Sequence, residues 1–446
     1  MSEKFFPKGW VETTIGDVCI FNPRNDLDDS DIVSFLPMAA IPQTFGEKPI
    51  YKTRIWAEVK KGYTHYQNSD VLFAKVTPCF ENGKSMFVEN CPTGFGSGSS
   101  ELIVLRSNPD FVIPKLLLNL IRSYEFKQLG ARNMTGAVGL RRVPKAFVEQ
   151  YPFPLPPLAE QKEIARQLDD LLAQVDILKT RLDSIPAILK RFRQSTLAAA
   201  VSGKLTEEWR GENGNRDWIT FSFGDLVETA NNGLAKRRGT TGDEVTVLRL
   251  ADFKNAKRVF GNERKIFLTP KECDKYLLGK GDLLIIRVNG SVDLAGLFIL
   301  YDEAHKREAY CDHFIRFTAV DKANPKFITY VTNEGEGRRY LRESLSTSAG
   351  QNTINQKSIK ALQIDLPPIE EQAEIVRRVE ELFAFADQVE QRVKDAQSRV
   401  NHLTQSILAK AFRGELTADW RAANPDLITG KNSAEALLKR LRRSGK

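Results

Sequence analysis

The strongest constraint on this chain is a duplication. Residues 155–210 open LPPLAEQKEIARQLDDLLAQVD and close RQSTLAAAVSGKLTEEWR, and residues 366–421 open LPPIEEQAEIVRRVEELFAFAD and close TQSILAKAFRGELTADWR. The two blocks align without a gap at a shift of 211 residues, with 22 of 56 positions identical. Any fold must therefore be assembled from two related halves. Upstream of each block only landmarks recur. Trp10 with Gly16 and Asp17 answers Trp218 with Gly224 and Asp225, the run from Asp70 answers the run from Asp282, and Gly139 answers Gly350. Between these landmarks the sequences diverge, so the order is variable, similar, variable, similar.

Each similar block carries a long helix with coiled-coil spacing. In the first, Ile164, Leu168, Leu171, Val175, Leu178, Leu182, Ile185, Leu189 and Phe192 recur at steps of four and three. In the second, Ile375, Val379, Leu382, Ala386, Val389, Val393, Ala396, Val400, Leu403 and Ile407 do the same. Such steps keep an apolar seam on one side of a helix. Pro-Pro before each helix and Gly203 or Gly414 after it serve as punctuation. Pro186 is expected to kink or split the first helix, while the second has Gln397 there. Two equivalent stripes on one chain pair most simply with each other. An antiparallel pair relates the halves by a pseudo-two-fold axis and puts a variable block at each end. From Ile164 to Phe192 a straight helix spans about 43 Å, or about 12 base pairs of duplex.

The variable blocks mix strand-like runs (DVLFAKV, ELIVL, VTVLRL, GDLLIIRV) with helical ones such as PKLLLNLIRSYEFKQL. The expected fold class is α+β. Two globular mixed α/β domains, 1–154 and 211–365, are separated by helical regions 155–210 and 366–421 that pair as an antiparallel coiled coil. A basic tail, 422–446, follows; its Lys439, Arg440, Arg442 and Arg443 read as a solvated helix end.

The net charge of +8 fits a polyanionic partner without requiring one. Certain loops combine basic side chains with amides, hydroxyls and glycine. They hold Lys75, Thr77, Asn82 and Lys84; Arg141 and Arg142; Lys236, Arg237 and Arg238; Arg287 and Asn289; and Gln351 and Asn352. Arg and Lys can contact guanine edges or phosphates, and Asn and Gln can pair with adenine in the major groove. These residues are the DNA-binding candidates, a solvated surface turn being the alternative for any one loop. The basic stretch Lys190, Arg191 and Arg193 can face phosphate, a partner or solvent.

The sequence carries none of the common catalytic signatures. The stretch Asn82 to Ser85 resembles the end of a phosphate-binding loop, but Pro78 occupies a position that needs a backbone N–H. The Asn-Pro pairs at Asn22, Asn108, Asn324 and Asn424 lack the second proline of an adenine methyltransferase element. Acidic pairs such as Glu370–Glu371 and Asp169–Asp170 read as solvated helix faces. Five scattered cysteines and four histidines without ligand spacing argue against disulfides and metal, as expected for a cytoplasmic protein. No membrane span or signal peptide is expected.

The two blocks, with Leu-Pro-Pro-x-x-Glu-Gln in duplicate, resemble the conserved regions of type I restriction-modification specificity subunits, the type IA subgroup in particular. The resemblance implies that each variable block is a target recognition domain for one half of a split, asymmetric site in double-stranded DNA. It also implies that the helices set the spacing and dock two modification subunits, which bind S-adenosylmethionine and methylate adenine. Two restriction subunits then add ATP- and Mg-dependent translocation and cleavage. No cofactor, metal or catalytic residue is expected on this chain. The rival reading is a coiled-coil scaffold that joins proteins without reading DNA.

Overall fold

A computed structural model describes residues 6–444 except 138, 215, 255–256, 262 and 304–305. The chain forms two compact units: residues 1–184 with 393–446, and residues 185–392. Unit 1 is thus built from both ends of the sequence, and unit 2 from its continuous middle.

In unit 1 the run after Asp70 becomes the strand Val71–Ala74, buried at every residue. It lies inside a four-stranded sheet ordered Ile20–Phe21, Leu102–Arg106, Val71–Ala74, Ser85–Phe87. Alternate side chains serve opposite faces. Val71 and Phe73 join the core containing Phe126 and Phe153, whereas Leu72 and Ala74 pack with Tyr66 and Leu36 of a second four-stranded sheet. A strand buried on both faces has no polar alternation, so the sequence shows a continuous apolar run. Helices α1 (Pro114–Arg122) and α2 (Tyr124–Arg132) cover the first face. Unit 2 repeats the device. Leu283 and Ile285 join the core of Phe223, Phe317 and Phe327, while Leu284 and Ile286 join that of Val247, Tyr310 and Phe314.

The Asp before each of these strands is structural. Asp70 accepts from the Gln67 amide (2.8 Å) and receives two hydrogen bonds from Arg106 (2.9 and 2.8 Å). Asp282 accepts from the Gly279 amide at 2.8 Å and from Thr318 at 2.9 Å. Each carboxylate closes the turn that launches the central strand.

The long helices are α3 (Leu158–Val201) and α4 (Ile369–Phe412), 44 residues each. In unit 1, Ile164, Leu168, Leu172 and Val175 of the first half of α3 pack with Val400, Ile407, Leu408 and Ala411 of the last half of α4. In unit 2, Ala200 near the end of α3 packs with Ile375 and Val379 near the start of α4. The pairing is antiparallel. On α4 the seven-residue series Val379, Ala386, Val393, Val400 and Ile407 is buried throughout.

Three expectations need correction. Of the two outcomes expected at Pro186, the split does not occur: α3 runs as one helix through this exposed proline. Leu178 and Leu403, assigned to the seam, are 46% and 45% exposed, while Leu172, left out, is buried. An α-helix has 3.6 residues per turn, so a strict 3.5-residue seam drifts around it by about 20° per heptad unless the helix supercoils fully. The third is Glu371, read as solvated but 1% exposed. Of the remaining seam positions, Leu171 and Leu182 are partly buried in the unit 1 cluster, and Leu382 and Val389 are half-buried.

The duplicated Glu-Gln explains the repeat. Glu160 accepts from Trp10 (2.8 Å), Thr417 (2.7 Å) and Arg421 (2.9 Å). Glu371 accepts from Trp218 (3.2 Å), Thr206 (2.8 Å) and Arg210 (3.0 Å). The Thr and Arg come each time from the end of the other block, so the start of one repeat is locked to the finish of its twin. Gln161 bonds Ile113 N and the Phe111 and Pro156 carbonyls; Gln372 bonds Asn324 N and the Lys322 and Pro367 carbonyls. The helix is thereby stapled to its own mixed domain. Gly203 and Gly414 hold φ of +76° and +72°, and their carbonyls accept from Arg210 and Arg421. A side chain at Gly414 would strike Pro7 at 2.2 Å.

The tail forms α5 (Ala434–Ser444). Its Leu437, Leu438 and Leu441 enter the core of unit 1, whereas Lys439, Arg440, Arg442 and Arg443 face solvent. No described helix is long and apolar enough to cross a membrane.

Candidate nucleic-acid interface

The structure unites loops that lie far apart in sequence. In unit 1, Thr135 and Arg142 exchange backbone hydrogen bonds (3.0 and 2.8 Å) and close a hairpin. Arg142 also bridges to Val76, Thr77 donates its amide and hydroxyl to the Arg141 carbonyl (2.9 and 3.0 Å), and Val143 N donates to Lys75 O at 2.8 Å. The hairpin therefore lies beside the exit of the central strand, and the loops carrying Lys75 to Lys84 and Arg141 to Arg142 form one surface.

Unit 2 builds the same constellation from different residues. The hairpin of strands Ser346–Ser348 and Gln351–Thr353 pairs with Val288–Asn289, just past the central strand Leu283–Ile286. Ile354 N donates to Arg287 O at 3.0 Å, the counterpart of the Val143 to Lys75 bond. Arg287 N in turn donates to His313 O at 2.7 Å. Leu234 bridges to Cys311, so the loop of Lys236 to Arg238 also leaves from this region.

The candidates differ in freedom. Arg142 forms a two-point pair with Glu101 (2.8 and 2.6 Å), and this bond holds the Glu101 carboxyl below its ordinary range. Arg141 stands 3.6 Å from Glu81, Lys236 bonds Glu272 at 3.0 Å, and Arg237 reaches Asp312 at 3.2 Å. Exposed pairs of this kind are worth little in water, so a phosphate can take the carboxylate's place. Asn82, Arg238 and Gln351 are exposed, and Arg287 and Asn289 half-buried.

Three candidates are engaged with backbone instead. Lys75 Nζ donates to Ser100 O (2.7 Å), Lys84 Nζ to Met38 O (2.8 Å), and Thr77 as above. Asn352 is a correction. It is 4% exposed, accepts from the Thr347 hydroxyl at 2.8 Å and donates to Gly290 O at 3.0 Å, so its amide braces the hairpin and is not offered to a base. In the basic stretch, Arg193 is paired with Asp387 (2.6 Å) and Glu390 (3.0 Å), while Lys190 and Arg191 are exposed.

Sequence reading passed over several residues here. Glu101, Glu272 and Asp312 hold the basic candidates, and half-buried Arg264 keeps its Nε and one Nη without a partner. They come from a helix and separate turns and loops, so no local pattern marks them. Cys311, Asp312 and His313 bring Sγ, an Oδ and Nδ1 within 4.8 Å of one another, a spacing for metal that the sequence reading did not credit. Asp312 is already paired with Arg237, and burial pushes the Cys311 thiol up, so a cation would have to displace one and deprotonate the other.

Comparison with known proteins agrees with this layout. Residues 7–187 and 215–396 each match the family described as Type I restriction modification DNA specificity domain. The chain is 56% identical over 333 residues to the type I restriction enzyme StySPI specificity subunit of Salmonella potsdam, covering 74% of this chain and 72% of that one. It is 42% identical over 312 residues to the EcoKI specificity subunit of Escherichia coli (strain K12), covering 70% and 67%. The fold resembles that of the HsdS subunit from Thermoanaerobacter tengcongensis, with TM-score 0.62, 20% identity, and 93% and 99% of the two chains covered. A chain from a study of type I R-M assembly gives TM-score 0.64 at 22% identity over 92% and 99%. Two DNA specificity domains on paired helices define a sequence-reading subunit, not a catalyst. The chain belongs to the specificity-subunit family of type I restriction-modification enzymes.

Proposed function

We propose that the two mixed domains, 1–154 and 211–365, read the two halves of a split, asymmetric site in double-stranded DNA, with the paired helices fixing the spacing between them. One observation carries this reading. Both domains place a hairpin beside the exit of a doubly buried strand, but dress it with different side chains, as two different half-sites require. Arg141, Arg142 and Asn82 are the contacts proposed for the first half-site, and Arg237, Arg238, Arg287, Asn289 and Gln351 for the second. Phosphate contacts supply affinity and salt dependence; base-edge contacts supply discrimination, about 1–3 kcal/mol for each good bidentate pair.

The chain then directs adenine methylation by two modification subunits carrying S-adenosylmethionine, and cleavage by two restriction subunits using ATP and Mg, in the cytoplasm. Apolar side chains left exposed on the long helices, Ile177 (53%) and Leu178 (46%) on α3 and Phe385 (60%) on α4, supply docking surface for the modification subunits. The test replaces residues 1–150 with the corresponding block of another member and maps methyladenine across a genome. One half-site is expected to change and the other to persist. Change in both, or in neither, defeats the modular reading. With a scaffold that does not read DNA, the modification subunits would methylate without sequence preference.

A further inference from the structure

The two repeats differ in chemistry at matched positions. In unit 2, Asp387 on α4 is neutralised by Arg193 at 2.6 Å, and Asn333 uses its amide on the backbone N and O of Phe298, 2.8 Å each. The residues 211 positions earlier are Asp176 and Arg122, and the counterpart of Arg193 is Thr404. Asp176 has no ion-pair partner among the described residues. Arg122 is 7% exposed and commits Nε and one Nη to Ser85 (2.9 and 2.6 Å), leaving the second Nη unused.

Both side chains line one cavity of about 630 Å³ within unit 1, between the loop of residues 42–51, α1 and the first half of α3. The Phe45 ring lies 4.3 Å from the Arg122 guanidinium carbon, and a Cβ on Gly46 would stand 2.5 Å from the Asp176 carboxylate. Consecutive residues thus hold a cation and an anion close together but unpaired. One more polar group lines the same space: Asn119, 3% exposed with no hydrogen bond on its amide among the described residues. Burial pushes Arg122 down to about 10 and raises Asp176. A cation, an anion and an amide that converge on one cavity of ligand size without bonding each other favour a binding site.

We propose that this cavity binds a small zwitterion of the α-amino-acid type. Its carboxylate is taken by Arg122, its ammonium by Asp176 with Asn119, and its apolar side chain by Phe87, Leu118 and Leu172. A simple anion would meet Asp176, and a simple cation would meet Arg122; only a ligand carrying both charges satisfies both. Bound there, it ties the loop of the first mixed domain to α3 and stabilises unit 1 by mass action.

The test titrates the full chain with L-methionine, L-leucine and L-phenylalanine by calorimetry, alongside thermal unfolding. At least one is expected to bind with one-to-one stoichiometry and raise the unfolding temperature. The matching deaminated acid and decarboxylated amine should each bind at least about tenfold more weakly, the loss that follows from removing one charged contact. Asp176→Asn, with an unchanged circular dichroism spectrum, should lose affinity for the amino acid by a similar factor and discriminate less against the deaminated acid. Arg122→Lys is the second variant: it keeps the charge but loses the Nη that the Ser85 bonds leave over, and should weaken binding of the amino acid and of the deaminated acid alike. The proposal is overturned if none of the three binds at millimolar concentration, if the deaminated acid binds equally well, or if Asp176→Asn leaves affinity unchanged.

Discussion

Glu160 and Glu371 concentrate the logic of the fold in single carboxylates. Each is buried and accepts from a Trp, a Thr and an Arg drawn from distant segments. Replacing either by Gln leaves a partly buried guanidinium without its anion, which costs less than the roughly 3–5 kcal/mol of a fully buried pair. Urea denaturation is expected to show Glu160→Gln weakening unit 1 and Glu371→Gln weakening unit 2, each sparing the other. The surface candidates obey different physics. Arg142 is held by Glu101 in the free chain, so DNA must compete with that carboxylate. Arg142→Ala should weaken binding to all sequences, and lower the slope of log affinity against log salt by about 0.9 if the contact is to phosphate. If Arg142 reads a base, the loss should instead depend on sequence at one position. Filter binding across a salt series separates the two. The sequence named Arg142 from its loop, but Glu101 lies 41 residues away on another element, and no spacing rule links them.

At the scale of elements, the helical repeat was legible because an apolar seam must recur every three or four residues whatever lies outside it. Its register was less so. Leu171 and Leu172 are equally apolar neighbours, and only packing against Val400 and Ile407 selects Leu172. Leu172→Ala is therefore expected to cost about 2–4 kcal/mol, whereas Leu178→Ala should stay within about 0.5 kcal/mol. Equal losses in thermal unfolding would mean that the seven-residue register is the true one. The central strands were found for a related reason. Burial on both faces leaves an apolar run that needs no knowledge of its neighbours. The hairpin around Asn352 was misread because its sequence, Gly-Gln-Asn-Thr, is the same whether the amide faces a base or braces a turn.

At the scale of the molecule, the two ends of the chain meet in unit 1. Thr417 and Arg421 complete the Glu160 site, and α5 completes the core of the first mixed domain. A chain ending at Arg413 should therefore lose unit 1, although the deletion lies more than 250 residues beyond that domain. Limited proteolysis is expected to degrade residues 1–184 rapidly and to leave a fragment near 185–392. Equal resistance of both halves would show that the tail is dispensable.

The amino-acid sequence alone determined that this protein has two related halves, two long helices with apolar seams, and two dissimilar mixed domains. Those properties reside in periodicity and duplication, which survive without coordinates. Tertiary structure decided which leucine enters the seam, which arginines are tethered, and that the signature glutamate joins one repeat to the other. Such facts depend on side chains brought together across 150 to 261 positions. Hydrogen bonds and ion pairs act over a few ångströms of space, and distance along the chain carries no trace of them.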